Sequence, residues 1–188
     1  VLATNIFTGC SIAMNGSTTI GTTPLPVTQT VTGGGSYCQG GAGVVVGLAS
    51  TETGINYQLY RGASIVGIPV SGTGSAVSFG FQSTGGTYTV LATNATTGCT
   101  QVMTGAANVV VNSLPVAYTV TGGGNYCTGG SGVAIGLSGS VAGTTYQLYN
   151  GSTAVTAAIA GTGSALSFGS MTAAGTYTVR ATNTATGC

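Results

Sequence analysis

The chain has 188 residues, 43% of them hydrophobic and only 2% charged: Glu52, Arg61 and Arg180, with no Lys, Asp or His. Nucleic-acid binding needs clustered Lys and Arg to displace counterions, and acid–base or triad chemistry draws on His, Asp, Glu or Lys, so composition argues against both. It also argues against a disordered chain, which pairs low hydrophobicity with high net charge; and Gly, Ser and Thr interrupt every apolar run short of the ~20 residues of a membrane helix.

The first ten residues, VLATNIFTGC, return as VLATNATTGC at Val90 and VRATNTATGC at Val179, a constant step of 89. VTGGGSYC at Val31 returns as VTGGGNYC at Val120, YQLY at Tyr57 returns at Tyr146, and GTGSAVSFG at Gly72 returns as GTGSALSFG at Gly161. A fixed period of this size marks an array of repeated units. The chain starts and stops at one point inside a unit, as a window cut from a longer array would. Residues 1–23 therefore read as the C-terminal end (strands F and G) of a preceding repeat. Residues 24–113 read as a complete repeat, and 114–188 as a repeat without its last strand.

Within the complete repeat, VTQTV (27–31) is the first predicted strand. VVVGLA (44–49) alternates, and its copy VAIGLS keeps Val133, Ile135 and Leu137 large, so the Val44, Val46, Leu48 face is expected to point inward. INYQLY (55–60) follows with Tyr57 and Leu59 inward and Gln58 outward. In its copy, Asn150-Gly151 is expected at the centre of a type I′ hairpin turn. SIVGIPV carries Pro69 and fits an edge strand. AVSF (76–79) offers Val77 and Phe79 to the core. GTYTVLATN (86–94) places Tyr88, Val90 and Ala92 on one face and Thr89 and Leu91 on the other; Leu91 becomes Arg180 in the copy, so that face is expected to be wet. TQVMTGAANVVVN (100–112) closes the unit, with a bulge expected at Gly105. Seven short strands in some ninety residues predict an all-β chain of tandem immunoglobulin-like sandwiches. Gly86-Thr-Tyr-Thr-Val90 matches the strand F segment whose Tyr forms a tyrosine corner, with Val90 where a cysteine usually stands.

Five cysteines fall at two positions per repeat. One pairing consistent with the period joins Cys38 to Cys99 and Cys127 to Cys188, leaving Cys10 for a partner upstream. The other joins Cys10 to Cys38 and Cys99 to Cys127 across the junctions. The first is preferred because a sandwich brings its early and late strands together. Either implies an oxidising compartment; buried free thiols are the third option. No metal or cofactor site is expected, since zinc wants Cys and His at close spacing, calcium wants several carboxylates, and the glycine clusters lack the Lys and Ser/Thr of a phosphate loop.

The segments YCQGGAGVVVGL, YQLYRG, GTGSAVSFG and GTYTVLATNATTGCT resemble the immunoglobulin-like tandem repeats of very large cell-surface adhesins of Bacteroidota, including gliding-motility adhesins. The resemblance implies an exported, non-catalytic stalk or fibre segment at the cell surface, its partners being neighbouring repeats and other fibres. Two alternatives are a glycan-binding module using surface Tyr60 and Tyr149, and a subunit of a strand-exchanged extracellular filament. Against the glycan reading stand the absence of Trp and the single carboxylate. Against the filament stands the content of residues 1–23, which a continuous array would also contain. The connectors PLP (24–26) and SLP (113–115) predict stiff joints, with Leu25 and Leu114 packed into them.

Overall fold

A computed structural model describes Val1 to Cys188 and is all-β. A short hairpin, β1 (Leu2–Thr4) and β2 (Ser11–Ala13), comes first and is wholly exposed. The first repeat follows as β3 (Val31–Gly33), β4 (Gly35–Cys38), β5 (Val44–Leu48), β6 (Ile55–Arg61), β7 (Ser64–Ser71), β8 (Val77–Gln82), β9 (Gly86–Asn94), β10 (Thr100–Val102) and β11 (Ala107–Asn112). The second holds β12 (Val120–Gly122), β13 (Val133–Leu137), β14 (Thr144–Asn150), β15 (Thr153–Ala154), β16 (Ile159–Ala160), β17 (Leu166–Met171) and β18 (Tyr177–Asn183).

In the first repeat, one sheet runs β3-β5-β8 and the other β4-β11-β9-β6-β7, with β10 also on β9. These are the A-B-E and A′-G-F-C-C′ sheets of an immunoglobulin-like sandwich. Alternation along the strands fills the space between them. Val46 and Leu48 of β5 meet Ile55, Tyr57 and Leu59 of β6 and Tyr88, Val90 and Ala92 of β9, while Met103, Ala107 and Val109 close the remaining side. Val45, the alternate residue, is exposed, and so is Arg180 in β18, as the pattern demanded. Pro69 lies in β7, an edge strand, where its missing N–H costs no ladder bond.

Gly33, Gly34 and Gly35 explain the VTGGG motif. Their φ values are +88°, +82° and +127°, which side chains rarely adopt, and the chain uses them to leave β5 for the opposite sheet within one residue. A Cβ on Gly34 would lie 2.7 Å from the carbonyl oxygen of Asn108.

Four expectations need correction. The strand placed at 27–31 is formed only from Val31, because Val27 N–H donates to the Glu52 carboxylate and the chain at Gln29 instead accepts from Thr104 N–H. Residues 100–112 are two strands, not one bulged strand: Gly105, at φ +80°, separates β10 from β11. Asn150 pairs with Thr153, so Gly151 and Ser152 form the turn. Only Gly151 has positive φ, the type II′ arrangement rather than I′. Leu25 and Leu114 are 58% and 57% exposed; Pro26 is the buried connector residue.

The tyrosine corner is present in both repeats. Tyr88 Oη donates to the Thr84 carbonyl at 2.8 Å and Tyr177 Oη to that of Ala173 at 2.7 Å. Tyr88 is fully buried, so its hydroxyl has no water to fall back on. Tyr88→Phe keeps the ring and leaves the Thr84 carbonyl unpaired; it is expected to lower unfolding free energy by about 1–2 kcal/mol in urea titration, without changing the dependence on denaturant.

Tyr57 makes a second such anchor, its hydroxyl accepting from Glu52 N–H at 2.9 Å. Burial pushes its phenol above the usual value, the hydrogen bond from Glu52 N–H opposing this and the Glu52 charge adding to it. The folded state thus holds this proton more tightly than the unfolded chain. The Tyr57 contribution is complete below the unfolded pKa of about 10 and is lost as pH rises through the higher folded value. Melting temperature is expected to be flat from about pH 5 to 8, where His would titrate in other proteins, and to fall above about pH 10; Tyr57→Phe should weaken that alkaline fall.

Candidate functional site at the junction between the repeats

The recurring ATN-xx-TGC segment folds the same way each time. Asn94 Oδ1 accepts from Thr96 N–H at 2.9 Å and Thr97 N–H at 3.0 Å, Gly98 N–H donates back to the Asn94 carbonyl, and Asn94 N–H reaches the Cys99 carbonyl. Asn5 and Asn183 make the same bonds in their copies. An Asn side chain capping a tight turn and a Gly in the left-handed region (Gly98 φ +72°) account for the conserved spacing within the chain. Each hairpin delivers a cysteine to the end of a sandwich.

Which end follows from the register of β11. It runs parallel to β4, with Asn112 opposite Cys38, and antiparallel to β9, with Val109 opposite Gly86. Cys38 therefore sits at the tail of the first repeat, where the chain leaves for the second. The Tyr37 hydroxyl, bonded to the Ser83 carbonyl, marks the same level. Asn94 and Cys99 sit at the head, beside Thr23, whose Oγ1 is 3.0 Å from Cys99 Sγ. Roughly eleven residues of extended chain, some 35 Å, separate head from tail.

That distance overturns the pairing within one repeat, and the bond that Cys38 makes instead overturns the pairing with Cys10. Cys38 cannot reach Cys99, because a disulfide needs Cα atoms about 4.4–6.8 Å apart. Cys38 is instead bonded to Cys188, with Cα atoms 5.4 Å apart, and Cys10, Cys99 and Cys127 are free. The bridge spans 150 residues and joins the tail of the first repeat to the head of the second. On the chain-entropy model, a closure of that length contributes roughly 5 kcal/mol. Cys99 has its thiol held below the ordinary cysteine range by its hydrogen bonds to Thr23 and then Thr97.

The two surface tyrosines are half-buried. Tyr149 lies under the Arg180 guanidinium, 5.1 Å from ring centroid to Cζ, a cation–π contact. Tyr60 borders a shallow depression with Leu91, the counterpart of Arg180, and with Val90 and Val102; Thr89 supplies the only polar side chain there. Neither ring is joined by the convergent polar groups on which sugar recognition depends. Glu52, the single carboxylate, is engaged by Val27 N–H at 2.8 Å.

No family model and no curated protein matches the chain. Among solved structures, it is similar to the human OSCAR ligand-binding domain at 11% identity, covering 84% of this chain and 90% of that one, with a TM-score of 0.34. So loose a superposition carries no argument, and the sandwich assignment rests on the strand pairings above.

Non-reducing peptide mapping is expected to recover Cys38 linked to Cys188 and not to Cys99. Mutating either partner to Ser should abolish the linked peptide and lower the melting temperature.

Proposed function

We propose that the chain is a non-catalytic stalk or fibre segment of a secreted cell-surface adhesin of the kind its repeats resemble in Bacteroidota. The observation that carries this reading is the junction bridge, which fastens one repeat to the next rather than closing a single sandwich. Constant spacing of the two repeats supports it, as do the matched connectors, in which Pro26 and Pro115 fix φ near −65°. A disulfide of this kind belongs to an oxidising compartment, and no helix is long and apolar enough to cross a membrane. Glu52 is spent on a backbone N–H, and Arg180 on a tyrosine ring.

The head-to-tail placement of the bridge makes the expected particle elongated. Two repeats at roughly 35–45 Å each give a maximum dimension of about 80 Å for the single chain by small-angle X-ray scattering. A compact particle of about 50 Å, with the repeats side by side, would exclude a stalk.

A further inference from the structure

The two repeats differ at one place on the outer face of their second sheet. In the second repeat, Tyr149 of β14 stands level with Thr178 of β18, and Gln147 with Arg180. Arg180 is thus the diagonal neighbour of Tyr149, and its guanidinium lies over that ring, 5.1 Å from Cζ to the centroid. In the first repeat the register is the same: Tyr60 of β6 stands level with Thr89 of β9, and Gln58 with Leu91. Leu91 ends at its δ carbons, so the guanidinium has no counterpart over Tyr60. A depression of about 310 Å³ takes its place, bordered by Tyr60, Thr89, Leu91 and Val102. Val102 pairs with Leu91 across β10 and β9 and is 57% exposed. The depression lies on the outside of the sandwich whose core β10 and β11 close.

We propose that this depression is a binding site for an arginine side chain presented by a partner polypeptide, its guanidinium taking over Tyr60 the position that Arg180 takes over Tyr149. This goes beyond the stalk reading, which needs no ligand.

The walls select that group. The face of an aromatic ring is the negative end of its quadrupole and attracts a cation. Leu91 and Val102 make the rest of the rim aliphatic, which suits a planar, weakly hydrated guanidinium and its methylene stem. A lysine ammonium would have to shed a tighter shell of water against the same walls. Thr89, level with Tyr60, brings a hydroxyl that can accept from a guanidinium N–H. An anionic ligand would meet the negative face of the ring, and a sugar would find one hydroxyl where it needs several convergent polar groups.

The chain's own charges leave the site to another molecule. Arg180 is engaged on the ring of its own repeat. Arg61 follows Tyr60 in β6, so the alternation of the strand turns it toward the opposite face. Its stem lies against Gly86, where an added Cβ would stand 3.0 Å from Cγ and 3.1 Å from Cδ. Glu52, the single carboxylate, is held by Val27 N–H. No ion pair therefore assists the ligand, and the charge preference comes from the ring alone. That preference amounts to a roughly two- to fivefold tighter binding of the cation than of a neutral group of the same shape.

The test uses the 188-residue chain with its tyrosine rings labelled with carbon-13, titrated with the peptide acetyl-Gly-Arg-Gly-amide and followed by NMR. The Tyr60 signals are assigned by their loss in Tyr60→Leu. Expected is a saturable shift of the Tyr60 ring and none at Tyr149, which Arg180 already covers. The same peptide with citrulline, an uncharged group of nearly the same shape, should bind roughly two- to fivefold more weakly, and the lysine peptide more weakly than the arginine one. Leu91→Arg should let the chain cover Tyr60 with its own guanidinium, as the second repeat does, and abolish the peptide-induced shift while the melting temperature is kept. Because that variant copies an arrangement already present in the chain, loss of its response cannot be ascribed to misfolding. A Tyr60 ring that does not respond to the arginine peptide, a citrulline peptide that binds equally well, or a shift that persists in Leu91→Arg would each overturn the proposal.

Discussion

The placement of β11 between an antiparallel β9 and a parallel β4 governs most of the first repeat. Its inward residues complete the core over Tyr88 and Val46, and its outer edge recruits Gly35 to Cys38 into a strand. In the second repeat, Gly122 to Gly124 keep nearly the same φ values, +85°, +79° and +131°, but Asn125 to Cys127 after them form no strand. Because one neighbour is parallel and the other antiparallel, β11 also decides which cysteine lies at which end. Core closure, strand switching and cysteine placement are thus three outcomes of a single pairing.

From this the junction follows with little further instruction. The Asn-capped hairpin holds one cysteine at the head of each sandwich, and the tail of β4 holds the other. Neither can find a partner inside its own repeat. The only close encounter is between successive repeats, where Cys38 meets Cys188. Small sandwiches rich in glycine lose much entropy on ordering, and a bridge placed here lets each repeat constrain the unfolded ensemble of the next.

Strand faces were legible in the sequence because a period of two needs only local information: Val46 and Leu48 inward, Val45 outward, Arg180 on a wet face. Tyr88 and Pro69 were legible for the same reason, each having one physical niche in such a sandwich. The cysteine partners were not. Spacing along the chain says how many residues intervene but not toward which end of a strand each lies, and that depends on the parallel pairing of β4, a contact with no local signature. The hairpin at Gly151 was displaced by one position because Asn-Gly is favourable in two registers, and the pairing of Asn150 with Thr153 selects the other. Tyr60 and Tyr149, read from sequence as surface residues, are half-buried, and only the structure puts Arg180 over one of them.

Two covalent strands cross the junction: the backbone from Asn112 to Val120, and the Cys38–Cys188 bridge. A body hung from one bond can spin about it; a body held at two separated points cannot. Torque applied to one sandwich must therefore turn the next, and tension is divided between two load paths rather than borne by the connector alone. Reducing the bridge would convert a drive shaft into a swivel while leaving both sandwiches folded around their own tyrosines.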